Sequence, residues 1–201
     1  MDFAKVKSNL EKLGYVVTCF DTKNDASKYL NKTIDHTSVG ICGTLTVEEM
    51  GLYESLGEHN EVHWHWRPGE GETPQDVRER IAKCDIFISS VNGLAETGEI
   101  VNIDGRGDRV ANTIHGHKKV YFIVGENRIA ENFEKALWRA RNIAAPLNAK
   151  RLNRKTPCAV KGDKCYDCSS PDRICNALTV LWRKPYSMEY EIVLVHENLG
   201  Y

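Results

Sequence analysis

The chain has 201 residues, 41% of them apolar and 27% charged, with a formal net charge of -1. That length holds one good core, or a core with a small appendage, and the near-zero charge excludes the basic character of proteins that bind nucleic acid or an anionic membrane. No apolar run approaches the ~20 residues of a membrane helix, and Met1-Asp-Phe-Ala-Lys-Val6 lacks the apolar core of a secretory signal, so a cytoplasmic protein is expected. In a reducing compartment, seven cysteines point to metal or reactive chemistry before disulfides.

Phe3, Val6, Leu10 and Leu13 recur at helical spacing, and Gly14 ends that helix. Tyr15–Phe20 is β-branched and aromatic and predicts a strand; residues 25–34 return to helix. Ser38–Gly43 is the next strand. It runs into Thr44–Met50, where Thr46 and Glu49 have the spacing of a capping box. Glu61–Trp66 alternates as a strand should. Thr73 caps a helix that has Pro74 at its first position and runs to about Lys83. Asp85–Val91 and Lys119–Gly125 are short apolar runs that predict buried strands. Between them Glu99–Ile103 is one strand of a hairpin, bounded by the turn pairs Asn92-Gly93, Thr97-Gly98 and Asp104-Gly105. Residues 129–144 predict a long helix, with an interruption at Pro146. Ile174–Leu181 predicts a short helix, and Tyr190–His196 a last strand. Strands alternating with helices give an α/β fold, a mostly parallel sheet with helices on both faces. We divide this single domain into a core (1–150), a cysteine-rich segment (151–185) and a final strand (186–201).

The segment 92–112 is too dense in polar atoms for a core, and it sits at the carboxyl end of a strand, where open α/β sheets place ligands. Asn92, Asn102, Asp104, Arg106 and Arg109 are its candidate ligand-binding residues, the arginines as clamps for a carboxylate or phosphate. Glu96 is the candidate general acid or base. The strand-to-helix turn around Gly43, Thr44 and Thr46 offers amides and hydroxyls to an anion, although a plain capped turn explains it equally. Cys158, Cys165, Cys168 and Cys175 have the spacing C-x6-C-x2-C-x6-C, which can close four thiolates around Zn2+ or an iron–sulfur cluster. The other cysteines read as small buried hydrophobes, with Cys42 set apart inside a glycine turn. His63 and His65 share one face of their strand, but no third metal ligand is evident beside them.

Several strings together, among them those at 38–56, 92–112, 118–129, 141–152 and 156–176, resemble the LUD (lactate utilisation) domain proteins. They are most similar to a shorter, single-domain branch with four C-terminal cysteines. The resemblance spans nearly the whole chain. It implies the fold shared by glucosamine-phosphate isomerase, ribose-phosphate isomerase and CoA transferase, and a place in lactate or related organic-acid metabolism. Gly43, Thr44 and Thr46 are similar to the turn that holds a sugar phosphate in the isomerases. Asn92-Gly-Leu-Ala-Glu96 is similar in part to their acid string Asp-Gly-Ala-Asp-Glu, but Asn92 and Ala95 stand where two acids would be, and only Glu96 remains.

The leading expectation is therefore a LUD-family protein with a small-molecule anion pocket beside a four-cysteine 4Fe–4S cluster, with electron-transfer proteins as partners. Nucleic acid and membrane are not expected partners. Two rivals stand beside it. One is an isomerase, transferase or hydrolase that uses Glu96 on a phosphorylated or carboxylated molecule. The other is a non-catalytic subunit stapled by Zn2+.

Overall fold

The computed structural model describes residues 2–201. In chain order its strands are β1 (Val16–Phe20), β2 (Ser38–Ile41), β3 (Glu61–Trp64), β4 (Ile86–Ser89), β5 (Gly93–Ala95), β6 (Ile100–Asp104), β7 (Lys119–Gly125), β8 (Ile129–Ala130), β9 (Ala177–Leu181) and β10 (Glu189–Val195). The helices are α1 (Phe3–Lys12), α2 (Lys23–Thr33), α3 (Leu45–Glu49), α4 (Leu52–Gly57), α5 (Pro74–Ile81), α6 (Asp108–Asn112), α7 (Phe133–Arg139), α8 (Ala145–Arg151) and α9 (Pro157–Lys161).

Six strands form one sheet in the order β1-β10-β7-β4-β2-β3, and every pair in it is parallel. A parallel strand covered on both sides needs apolar residues at successive positions. Val120 to Val124 in β7 are all buried for that reason. Phe87, Val120, Phe122, Ile192 and Leu194 point to one side, against α1 and α5. Val39, Ile41, Ile88, Tyr121 and Ile123 point to the other, against α2, α3 and α4. The predicted α/β class and parallel sheet are thus present. The cap at Thr73 forms as predicted, with Asp76 completing the reciprocal box.

The chain leaves β2 toward β3 on one side and leaves β4 toward β7 on the other, although β2 and β4 are neighbours. This is a topological switch point, and open α/β sheets form their ligand crevice at the carboxyl ends of such strands. A second, four-stranded sheet in the order β8-β5-β6-β9 extends from β4 and flanks that crevice. Ala95 and Val101 on its outer face pack against Ala136 and Ala140 of α7 and the turn after it. β5 and α7 approach so closely that a Cβ at Gly93 would lie 2.5 Å from the Ala136 carbonyl oxygen.

Three expectations are corrected. Residues 177–181 form β9 rather than a helix: Leu178, Thr179 and Val180 favour extended backbone, and the free edge of β6 supplies hydrogen bonds in the register Asn102↔Thr179. Helix α3 begins two residues earlier than the Thr46–Glu49 pattern implied. Thr44 is its N-cap residue, and Thr46 lies inside, fully buried. The helix across Pro146 does not stop. Pro146 has no N–H to give the Asn142 carbonyl, and the chain widens just before it into a π turn, Ala140–Ala144, closed by Ala145 N–H donating to the Ala140 carbonyl.

Candidate functional site

A cavity of about 720 Å³ opens at the switch point. Cys42, Gly43 and Thr44 reach it from the end of β2, His65 and Trp66 from the end of β3, and Ser90 to Asn92 from the end of β4. The tip of β6 and the start of α6 form one wall, and α8, with Asn148 and Arg151, forms another. Ile174 closes the side nearest the cysteine segment. There the segment crosses the hairpin so tightly that a Cβ at Gly105 would lie 2.7 Å from the Ile174 carbonyl oxygen.

The cavity is lined by seven arginines and three aspartates, an excess of four positive charges on a chain whose net charge is -1. Arg128 is the least exposed of these arginines. Its Nε donates to the Leu199 carbonyl at 2.9 Å, its Nη1 to the Val91 carbonyl and its Nη2 to Thr46 Oγ1 at 3.0 Å. No carboxylate is among those partners, and burial with Arg139 and Arg109 nearby pushes its pKa down to about 9. Arg139, behind it, donates to the carbonyls of Asn127 and Asn92, and burial pushes it down to about 10. Cationic groups held against dipoles alone are compensated further by any anion that enters. The Thr44 hydroxyl, buried at the cavity wall, has no hydrogen-bond partner.

The predicted ligand residues divide into two sets. Gly43, Thr44 and Arg106 border open space. Asn92, Asn102 and Arg109 instead satisfy one another: Arg109 donates to Asn102 Oδ1 at 2.7 Å and to Asn92 Oδ1 at 3.1 Å, and Asn92 Oδ1 also accepts from Ile103 N at 2.7 Å. Asn92 and Arg109 also line the cavity, and with Asn102 they hold the hairpin to the sheet at its wall. Asp104 likewise spends its carboxylate on the start of α6, accepting from Arg106 N, Gly107 N and Val110 N. Thr46 faces Arg128 and does not line the cavity. Glu96 is a plain correction: it lies in the turn between β5 and β6, away from the cavity, with Lys5 Nζ 2.8 Å from its carboxylate. The hairpin points its turn toward α1 and its other end toward the cavity, so the two ends of the 92–112 segment serve different places.

His65 and Asp108 were not read together from the sequence. With Cys42 they bring a thiol, an imidazole and a carboxylate within 4.8 Å of one another. His117 is buried between the Cys84 carbonyl and Asn112. Cys19, expected in the core, is exposed on the edge strand β1.

Cys158, Cys165, Cys168 and Cys175 do converge. They line one small pocket together with Ala145, Pro146 and Ala149 of α8. The free space between them is about 20 Å³, and no three of these sulfurs lie within 4.8 Å of one another among the described residues. A tetrahedral zinc shell with Zn–S bonds of ~2.3 Å needs sulfurs ~3.8 Å apart. Polar groups surround the set: Asp167 N donates to Cys165 Sγ at 3.3 Å, Arg141 Nη2 is 3.9 Å from the same atom, and the Thr156 hydroxyl and the Cys158 thiol share a hydrogen bond of 3.3 Å. Arg173 donates to the carbonyls of Cys168 and Cys175. Ala145, Arg173 and Ile174 line both this pocket and the larger cavity, so a single layer of side chains separates the two.

A family model described as the LUD domain matches residues 3–195. Among solved structures, the chain is similar to a DUF162 family protein from Deinococcus radiodurans, with a TM-score of 0.53 and 13% identity over 96% of this chain and 95% of that one. Likeness at that identity shows the fold. No curated protein matches the chain.

Proposed function

The chain belongs to the LUD domain family, and from that premise we propose that it binds a small carboxylate or phosphate beside a four-cysteine iron–sulfur centre, in a redox step of lactate or related organic-acid metabolism. The observation that carries this reading is the shared wall. Ala145, Arg173 and Ile174 separate four converging thiols from a cavity with an excess of four positive charges. A 4Fe–4S cluster, when bound, supplies one-electron transfer at a potential tuned by hydrogen bonds to its sulfurs. The chain's own residues do the rest. Arg128, Arg106 and the unpartnered Thr44 hydroxyl draw in and orient the anion, Arg173 fixes the cysteine loop against the cavity, and Asp167 N, Arg141 and Thr156 face the sulfurs. Four thiolates suit a cluster as well as one zinc ion, and the metal content separates the two. The rival built on Glu96 loses its support, because that carboxylate is paired with Lys5 outside the cavity.

The test is iron, acid-labile sulfide and zinc content of protein purified without oxygen, with its visible spectrum. About four irons and four sulfides per chain are expected, with both lost in Cys165→Ser. One zinc and no iron would replace the redox reading with a structural staple, and neither metal would remove the centre altogether.

A further inference from the structure

We propose that Cys42, His65 and Asp108 form a second, mononuclear metal site for a divalent ion of the zinc type, opening into the arginine-lined cavity. Among the described residues these are the one set of three His, Cys, Asp or Glu side chains whose ligand atoms all lie within 4.8 Å of one another. The three come from separate elements: Cys42 follows β2, His65 follows β3, and Asp108 opens α6. All three line the cavity at the switch point. Thiolate, imidazole and carboxylate are the donors that zinc takes, and three protein ligands with a fourth position open is the arrangement of catalytic rather than structural zinc.

His65 gives an independent reason. It is only 9% exposed, and its Nδ1 is buried with no hydrogen-bond partner. An unsatisfied buried polar nitrogen costs ~1–3 kcal/mol, so such groups call for an explanation. Asp108 is already oriented: Arg78 Nε donates to its Oδ2 at 2.7 Å, the kind of outer contact that fixes a ligating carboxylate. The Cys42 thiol is buried at the cavity wall, and metal binding would release its proton to solvent.

The nearby cations do not oppose this assignment. Thiolate and carboxylate cancel the charge of the ion, Arg78 is paired with Asp108, and Arg109 is tied to Asn92 and Asn102. Arg106 and Arg128 line the same cavity as the three ligands. An anionic ligand would be held by the ion at one oxygen and by guanidinium groups at others, which fits a small carboxylate or phosphate. This site rests on the cavity alone and stands whether or not the four C-terminal cysteines hold a cluster.

The test is an anaerobic titration of chelator-treated protein with Co2+ and Zn2+, following cobalt–thiolate absorption and metal stoichiometry. Cys42→Ser, His65→Gln and Asp108→Asn should each lose one metal equivalent, or weaken it at least ~100-fold, since losing even an outer partner costs about 10–100-fold. Cys158→Ser/Cys165→Ser should keep that equivalent. Asp108→Asn, on the short and partly exposed α6, decides the matter if either buried variant folds poorly. Wild-type stoichiometry and affinity in Asp108→Asn, or loss of every equivalent in Cys158→Ser/Cys165→Ser, would overturn the proposal.

Discussion

Replacing Thr46 with valine tests how the arginine layer beneath the cavity is held. Thr46 is fully buried, and its hydroxyl accepts from Arg128 Nη2 at 3.0 Å. Valine keeps the shape of the side chain and deletes that acceptor. A hydrogen bond to a charged group contributes ~1.5–3 kcal/mol, and Arg128 has no carboxylate to fall back on. Taking ~2 kcal/mol, and ~2–4 °C per kcal/mol for a chain of this size, Tm should fall by ~4–8 °C. Thr46→Ser keeps the acceptor and loses one buried methyl, ~0.8 kcal/mol, so it should fall by only ~2–3 °C. Thermal unfolding followed by circular dichroism, with and without inorganic phosphate, reads both effects. Phosphate should raise the wild-type Tm through binding to the folded state, and raise that of Thr46→Val by less, because the guanidinium is no longer fixed. A valine variant as stable as wild type would refute the reasoning, and so would a serine variant as damaged as the valine one.

Two further perturbations probe the frame around the site. Gly93→Ala places a methyl 2.5 Å from the Ala136 carbonyl oxygen; backbone must move, at a cost of ~1–3 kcal/mol or more. The displaced α7 should raise the reactivity of the four C-terminal cysteines toward a thiol reagent, and unchanged reactivity would count against the packing described. Lys119→Met strands the Glu191 carboxylate, 2% exposed, with only the hydroxyls of Tyr29 and Thr18 as donors, which should cost ~3–5 kcal/mol. Burial alone would lower the Lys119 pKa, but its hydrogen bonds to Glu191 and Tyr121 outweigh it and raise the value above 10.5. The folded state therefore holds this proton more tightly than the unfolded state. That stabilisation is complete below pH 10.5 and is lost as pH rises through the raised value. Tm plotted against pH should show this alkaline loss in wild type and a smaller one in Lys119→Met.

The alternation of apolar runs with amphipathic stretches made the sheet and its two helical layers legible, because burial on both faces demands unbroken runs such as Val120–Val124. The four C-terminal cysteines were legible for a similar reason: their spacing is local. What escaped was everything settled by partners far apart in the chain. Asn92, Asn102 and Arg109 have the right chemistry for a ligand, yet they consume one another's hydrogen-bonding capacity. Glu96 lies three residues from Gly93, but the hairpin carries it to the opposite end, beside Lys5. Cys42, His65 and Asp108 meet only because three separate connections end at the same edge of the sheet. Arg128 sits between the strands β7 and β8, and nothing in those few residues announces that its head group will be capped by carbonyls more than thirty residues away in either direction.

The π turn before Pro146 sets a phase. One residue of an α-helix advances the side chains by about 100°, so the extra residue in Ala140–Ala144 re-indexes every position beyond it. With that index, Pro146 and Ala149 face the thiols while Asn148 and Arg151 face the cavity. A chain shortened by one residue there would keep all four side chains and rotate them to the wrong neighbours. The division of α8 between two chambers is therefore written in the length of a helix, as much as in the residues that line them.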